Sequence, residues 1–268
     1  MLEVKTRVAP YIDLQLVAFP QDGLYRAKNG RENLIRALDR GVDIVGGIPH
    51  FERTMEEGAE SVKDVARIAA DRGLMLDIHC DETDDPMSRH VETMAAEVTR
   101  HGLGVRAAGS HLTSMHSMDN YYVSKLLPLI AESEMTVIPN PLINITLQGR
   151  HDTYPKRRGM TRVPELMAAA RVTLLCSRME GTPNALIESQ WLGTPVVSTA
   201  VGGAVDAVDD GASGFLCTCD DAAALAVRCG EILGDDALHA RLSARAREFA
   251  RERFALARML DDTQALYR

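Results

Sequence analysis

Aromatic side chains are scarce, making up 4% of 268 residues with a single tryptophan. A stacking platform for single-stranded nucleic acid needs several, so that class is set aside. Positive charge is short as well. The formal net charge is -8 and the pI is near 5.5, whereas duplex binding needs a positive footprint. The run Lys156-Arg157-Arg158 reads as a solvated loop, and no nucleic-acid partner is expected. No apolar stretch reaches the ~18 residues a spanning helix needs. The first residues, Met1 to Arg7, lack a signal-peptide core, so neither export nor a membrane anchor is expected. Cys80, Cys176, Cys217, Cys219 and Cys229 form no CxxC pair and no framework spacing, which fits a reducing cytoplasm. What remains is 46% hydrophobic and 25% charged, an ordinary globular composition. The length suits one large α/β domain or two small ones.

The organising stretch is Leu74 to Glu82, an apolar run that ends in His79-Cys80-Asp81-Glu82. It reads as a buried strand that delivers metal-capable and acid/base side chains to its carboxyl end. Around it the chain alternates. Strands are expected at 11–19, 42–48, 74–79, 105–110, 134–139, 171–176, 195–199 and 214–217. Helices fall between them, at 55–72, 86–101, 119–132, 161–170 and 183–192 and from about Gly203. Helical crossovers of this kind imply parallel sheet. Residues 140–161 lack periodicity and read as a long functional loop, and 221–267 as two helices broken at Gly234.

Polar groups fall at successive strand ends: Gln21, His50 and Glu52, His79 and Glu82, His111, and Asn140. In a parallel barrel the functional groups lie on that rim. Any one such histidine is more often a satisfied structural group; their repetition along one rim is what points to chemistry.

The segments Val17 to Gly23, Gly46 to Glu52, His79 to Glu82, Ser110-His111 and Leu147 to Gly159 resemble the cytosine deaminases of the amidohydrolase superfamily. The match is collinear from near residue 8 to about 170. The resemblance implies a (βα)8 barrel with one Fe or Zn ion, His79 and His111 as metal ligands, Glu82 as proton shuttle and Gln21 as hydrogen-bond partner of a pyrimidine. The family takes two more histidines from an HxH pair, which this sequence does not contain, and an aspartate at the position that register gives to Arg178. A guanidinium cannot ligate a cation, and two histidines fall short of the three protein ligands usual in catalytic sites.

From Val172 the character changes. Leu174 to Gly203, with Glu180 and Glu188 around Thr182-Pro183-Asn184, then Asp209 to Leu216 and the tail Arg247 to Phe254, resemble the carboxyl-terminal half of a retaining GT-B glycosyltransferase of family 4. The resemblance implies that Glu180 faces a donor sugar and that Glu188 binds the nucleotide ribose. Helix amino termini near Thr182 and Gly203, with the Gly202-Gly203 turn, would meet diphosphate oxygens.

The chain thus reads as a chimera, residues 1–170 being a deaminase-like (βα)5 segment and 171–268 a glycosyltransferase-like (βα)3 segment with C-terminal helices. The expected fold is α/β, a composite parallel (βα)8-like barrel of five units plus three. An open parallel sheet or two subdomains is the alternative. Closure would remove exposed sheet edges. Three functions follow: a pyrimidine deaminase with an incomplete metal site, weak or inactive; a nucleotide-sugar-binding fragment; or a non-catalytic scaffold. The small-molecule partner is a pyrimidine in the first case and a nucleotide-sugar in the second.

Overall fold

The computed structural model describes residues 1–154 and 159–267. The basic run at 156–158 lies outside the described residues. The chain divides into two compact units, Met1–Val163 and Pro164–Arg268.

The first unit opens with α1 (Leu2–Val8) and continues through β1 (Val17–Ala18), α2 (Gly30–Asp39), β2 (Ile44–Gly47), α3 (Met55–Arg72), β3 (Met75–Cys80), α4 (His90–Arg100), β4 (Ala107–His111), α5 (Asn120–Glu132), β5 (Thr136–Ile138) and α6 (Pro141–Leu147). Its five strands lie side by side in chain order, all parallel. Helix α3 shows why the expected boundaries hold. Thr54 caps it by accepting the Glu57 N–H, and Gly73 ends it at φ 65°, a left-handed turn that only glycine adopts without strain. Val62, Val65, Ala66 and Ala69 repeat at helical spacing and are buried toward β2, β3 and α4. Along β3 the burial alternates. Leu76, Ile78 and Cys80 are buried, while Met75, Asp77 and His79 on the other face are half-buried. Each fully buried Leu or Ile contributes about 1.5–3 kcal/mol, so the hydrophobic face fixes the register that sends Asp77 and His79 to the opposite side.

The second unit holds α7 (Val163–Ala169, its first residue shared with the first unit), β6 (Thr173–Leu175), α8 (Asn184–Leu192), β7 (Val196–Thr199), α9 (Ala204–Ala207), β8 (Gly214–Cys217), α10 (Ala222–Gly234), α11 (Asp236–Phe254) and α12 (Leu256–Leu266). Its sheet is parallel, with β7 between β6 and β8. All four residues of β7 are buried. Val197 joins a cluster with Phe215, Leu225, Ile232 and Leu242, and Val196 another with Leu186, Ala204 and Val208. A strand covered on both faces is the normal state of a parallel sheet.

Four expectations need correction. A single closed ring of eight strands is not what the backbone hydrogen bonds describe. Among the described residues they end at β5 and resume in a separate sheet at β6, so the two-subdomain alternative is the arrangement found. The strand expected at 11–19 shrinks to Val17–Ala18, because Tyr11 and Ile12 stay exposed and turn their N–H groups back to the Val8 carbonyl at the end of α1. The loop expected at 140–161 contains α6. The tail carries a third helix, α12, after a break at Ala255. No described helix is long and apolar enough to cross a membrane.

Candidate functional site

His79 is the penultimate residue of β3, Glu82 lies two residues beyond that strand, and His111 ends β4. One ligand atom from each lies within 4.8 Å of the others. Glu82 sits between the rings, Oε2 at 4.0 Å from His79 Nδ1 and Oε1 at 3.6 Å from His111 Nδ1. The His79 ring packs against His111 at 4.9 Å and against Phe19 at 4.7 Å between centroids. Burial, followed by the neighbouring His111, pushes the His79 pKa down, which leaves a neutral nitrogen ready to donate a lone pair.

The backbone at this rim departs from strand geometry. Register pairs His111 with Cys80, whose side chain occupies the face opposite His79. Alternation alone would send His111 there too. Asp81, His111 and Leu112 instead adopt φ 53°, 75° and 51°, a left-handed conformation unusual for non-glycine residues. Such strain persists where surrounding structure over-determines it, commonly at functional sites.

Asp81 is fully buried and does the holding. Its Oδ1 accepts from Ser88 Oγ at 2.7 Å and His90 Nδ1–H at 2.8 Å, and its Oδ2 from the Val91 N–H at 2.8 Å. Burial opposes its ionisation, but the His90 bond and charge outweigh that and keep the carboxyl below its usual range. The end of β3 is thereby tied to the start of α4. Asp77, two residues before His79 on the same face, is pushed up by burial. His50 is pulled down to about 4 by burial, and both its ring nitrogens are buried with no hydrogen-bond partner among the described residues.

The other rim residues separate from this cluster. Glu52 is structural: its carboxylate accepts backbone N–H groups of Leu24 at 2.5 Å and Arg26 at 2.9 Å. Gln21 is exposed in the turn after β1 and lines a cavity of about 230 Å³ with Phe19, Asn33 and Leu34. Asn140 precedes α6 at φ 46° and makes no side-chain cap. Sequence reasoning assigned no role to Asp77, Asp81, His90 or Asn144. The HCDE string did flag Asp81 by position, but only its buried partners reveal the role.

Two imidazoles and a carboxylate make a donor set that suits Fe or Zn. The His111 Nε2 is buried and unpaired among the described residues, as expected of an atom awaiting a cation or a water. The residues present therefore fit a metal ion, with fewer ligands than a closed site.

In the second unit the structure brings Glu180 and the glycine pair together. Glu180 Oε1 accepts from Ser177 Oγ at 2.5 Å, and the Gly203 N–H donates to the Glu180 carbonyl at 3.4 Å. A Cβ at Gly202 would lie 1.9 Å from the Glu180 carbonyl oxygen, and one at Gly203 2.1 Å from that of Gly181, so both positions require glycine. Glu188 is exposed on α8. Arg178 is exposed too and donates from Nε to Asp220 at 2.7 Å.

Comparison with known proteins supports both halves. The amidohydrolase family model matches residues 2–175 and the model of glycosyl transferases group 1 matches residues 143–249. Pterin deaminase of Rhizobium rhizogenes is 29% identical over 50% of this chain and 30% of its own length. The N-acetyl-alpha-D-glucosaminyl L-malate synthase of Bacillus anthracis is 31% identical over 39% of this chain and 28% of its own length. Among solved structures, 5-methylcytosine deaminase from Klebsiella pneumoniae, liganded with phosphonocytosine, is 41% identical with a TM-score of 0.61, over 75% of this chain and 43% of that one. The chain thus spans less than half the length of each of these relatives. It belongs to the amidohydrolase family and carries, overlapping the end of that match, a group 1 glycosyltransferase domain, the two together making a chimera.

Proposed function

We propose that the first unit is a deaminase-type hydrolytic site for an amino-substituted pyrimidine, with incomplete metal coordination and therefore weak or absent turnover. The observation that carries this reading is the convergence of His79, Glu82 and His111 within 4.8 Å. His79 and His111 would hold one Fe or Zn ion. When bound, such an ion supplies an activated hydroxide. Glu82, poised between both rings, moves the proton to the departing amino group, and Gln21 offers its amide to the pyrimidine edge. The shortfall lies in the ligand count, because a shuttle carboxylate cannot also serve as a dedicated ligand and Arg178 contributes none. We place the joint between the two ancestries near residue 170, and the chain in a reducing cytoplasm.

Metal analysis together with ammonia release from cytosine, 5-methylcytosine and pterin tests the reading. The expected result is substoichiometric Fe or Zn, with any slow turnover abolished by Glu82→Gln. Stoichiometric metal with rapid turnover would show the site to be complete. Turnover that is indifferent to Glu82→Gln would remove the shuttle.

A second reading concerns the second unit. The close seat of Gly202 and Gly203 on Glu180 and Gly181 supports a nucleotide-sugar subsite, with Glu180 toward the sugar and Glu188 toward the ribose. A thermal-shift titration with UDP- and GDP-sugars checks it, since a ligand at 100 times its Kd stabilises by about 2.7 kcal/mol. A flat response would dismiss it and leave this unit as scaffold.

A further inference from the structure

Helix α6 is built against the usual hydrophobic logic. Leu142 is 85% exposed, Ile143 45% and Ile145 41%, while Asn144 is 0% exposed and Gln148 5%. Asn144 lies within the helix and Gln148 immediately follows its last residue. The residue that α6 buries is polar, whereas an ordinary surface helix turns its apolar stripe inward. Burying an amide is costly unless its hydrogen bonds are made, and those of Asn144 are made in a way that has a chemical consequence.

The Asn144 Nδ2 donates to the Pro139 carbonyl at 2.5 Å. A carbonyl only accepts, so the amide orientation is fixed and Oδ1 is the atom that faces His111. His111 Nδ1 lies 2.8 Å from that oxygen, which likewise only accepts. The His111 proton therefore resides on Nδ1 in the neutral ring. Its lone pair is on Nε2, the nitrogen that is buried and has no partner among the described residues.

From this geometry we infer that Asn144 is a positioning residue that locks His111 in the Nδ1–H tautomer and so presents Nε2 as the electron-pair donor. The lock works through a chain of three groups: Pro139 orients Asn144, Asn144 orients the ring, and the left-handed backbone at His111 turns the ring from the Cys80 face to the His79 side. It also explains why a polar residue is buried in a segment whose apolar residues are left in water. What Nε2 donates to, a cation, rests on the deaminase-type reading; the tautomer itself does not.

The test uses the full chain, metal-free, with 15N-labelled imidazoles, at a pH where His111 is neutral. Its resonances are assigned by difference with His111→Gln. The native chain is expected to show the Nδ1–H pattern, and Asn144→Leu to change it to Nε2–H. Asn144→Asp, which keeps the acceptor oxygen, is expected to retain Nδ1–H. An Nε2–H pattern in the native chain, or Nδ1–H persisting in Asn144→Leu because Glu82 Oε1 at 3.6 Å suffices, would overturn the inference. Should Asn144→Leu fail to fold, Asn144→Ala carries the test: loss of the Nδ1–H pattern supports the lock and its persistence overturns it. Zn titration of the same proteins separates the two claims. Loss of an orienting partner weakens metal affinity about 10–100-fold, so Asn144→Leu should bind Zn that much more weakly. If the native chain binds no Zn while the tautomer results hold, the metal reading fails and the lock stands.

Discussion

Both units place polar residues at the carboxyl ends of parallel strands, yet the outcomes differ. Beyond β3 and β4 the side chains converge, and His111 and Glu82 are withdrawn from solvent at 4% and 14% exposure, while His79 keeps 39%. Beyond β6 and β8 the charged pair faces water: Arg178 is 80% exposed and pairs with Asp220, itself 63% exposed. The lesson is that a strand-end position supplies only the opportunity. Coupling strong enough to shape chemistry needs a low local dielectric, which the first unit provides and water screens away in the second.

The two units can be followed apart, because the single tryptophan, Trp191, lies on α8 of the second, while circular dichroism reports both. The sharpest break is expected from His90→Phe, which takes the imidazole from the buried Asp81 carboxylate and leaves it only Ser88 Oγ and backbone N–H donors. Removing one member of a buried pair costs about 3–5 kcal/mol, so a first-unit transition should fall sharply while Trp191 fluorescence melts as before. An unchanged dichroism midpoint would refute the claim that this pair holds the rim. Next in size is Gly202→Val, where the new Cβ meets the Glu180 carbonyl at 1.9 Å and φ is 50°; a loss of about 2–3 kcal/mol is expected, visible this time in the Trp191 transition.

Acid should weaken the first unit. His50 has its folded pKa lowered from 6.5 to about 4, so the folded state binds fewer protons than the unfolded one between those values. Its contribution is complete above pH 6.5 and is lost as pH falls toward about 4, at most about 3 kcal/mol. Denaturation midpoints at pH 7 and pH 4.5 should show the decline, and His50→Phe should flatten it; a slope unaffected by the substitution would assign it elsewhere. The smallest effect belongs to Arg178→Ala. Its partner is exposed, and exposed pairs contribute little, so neither transition should move, and a clear shift would mean that the second rim is less screened than its exposure implies.

Much of the architecture was legible because hydrophobic periodicity and caps agree. Thr54 and Gly73 bound α3 where the pattern begins and ends, and β3 alternates as a strand should. Helix α6 was hidden because periodicity assumes that apolar residues turn inward, and there Asn144 does so in their place. The break before α12 at Ala255 carries no glycine or proline to mark it. The extent of β1 was misjudged because Tyr11 and Ile12 look strand-like yet have no partner strand.

The sequence by itself determined the alternating α/β pattern, the presence of two family signatures in one chain and the placing of His79, Glu82 and His111 at the ends of neighbouring strands, since these reside in local text and spacing. Tertiary structure alone decided that the strands form two sheets, that Asp81 and His90 brace the rim and that Asn144 faces His111. Ladder closure, desolvation and the orientation of an amide all depend on groups distant in sequence, Asn144 and His111 being separated by 33 positions, and no local pattern encodes which of them will meet.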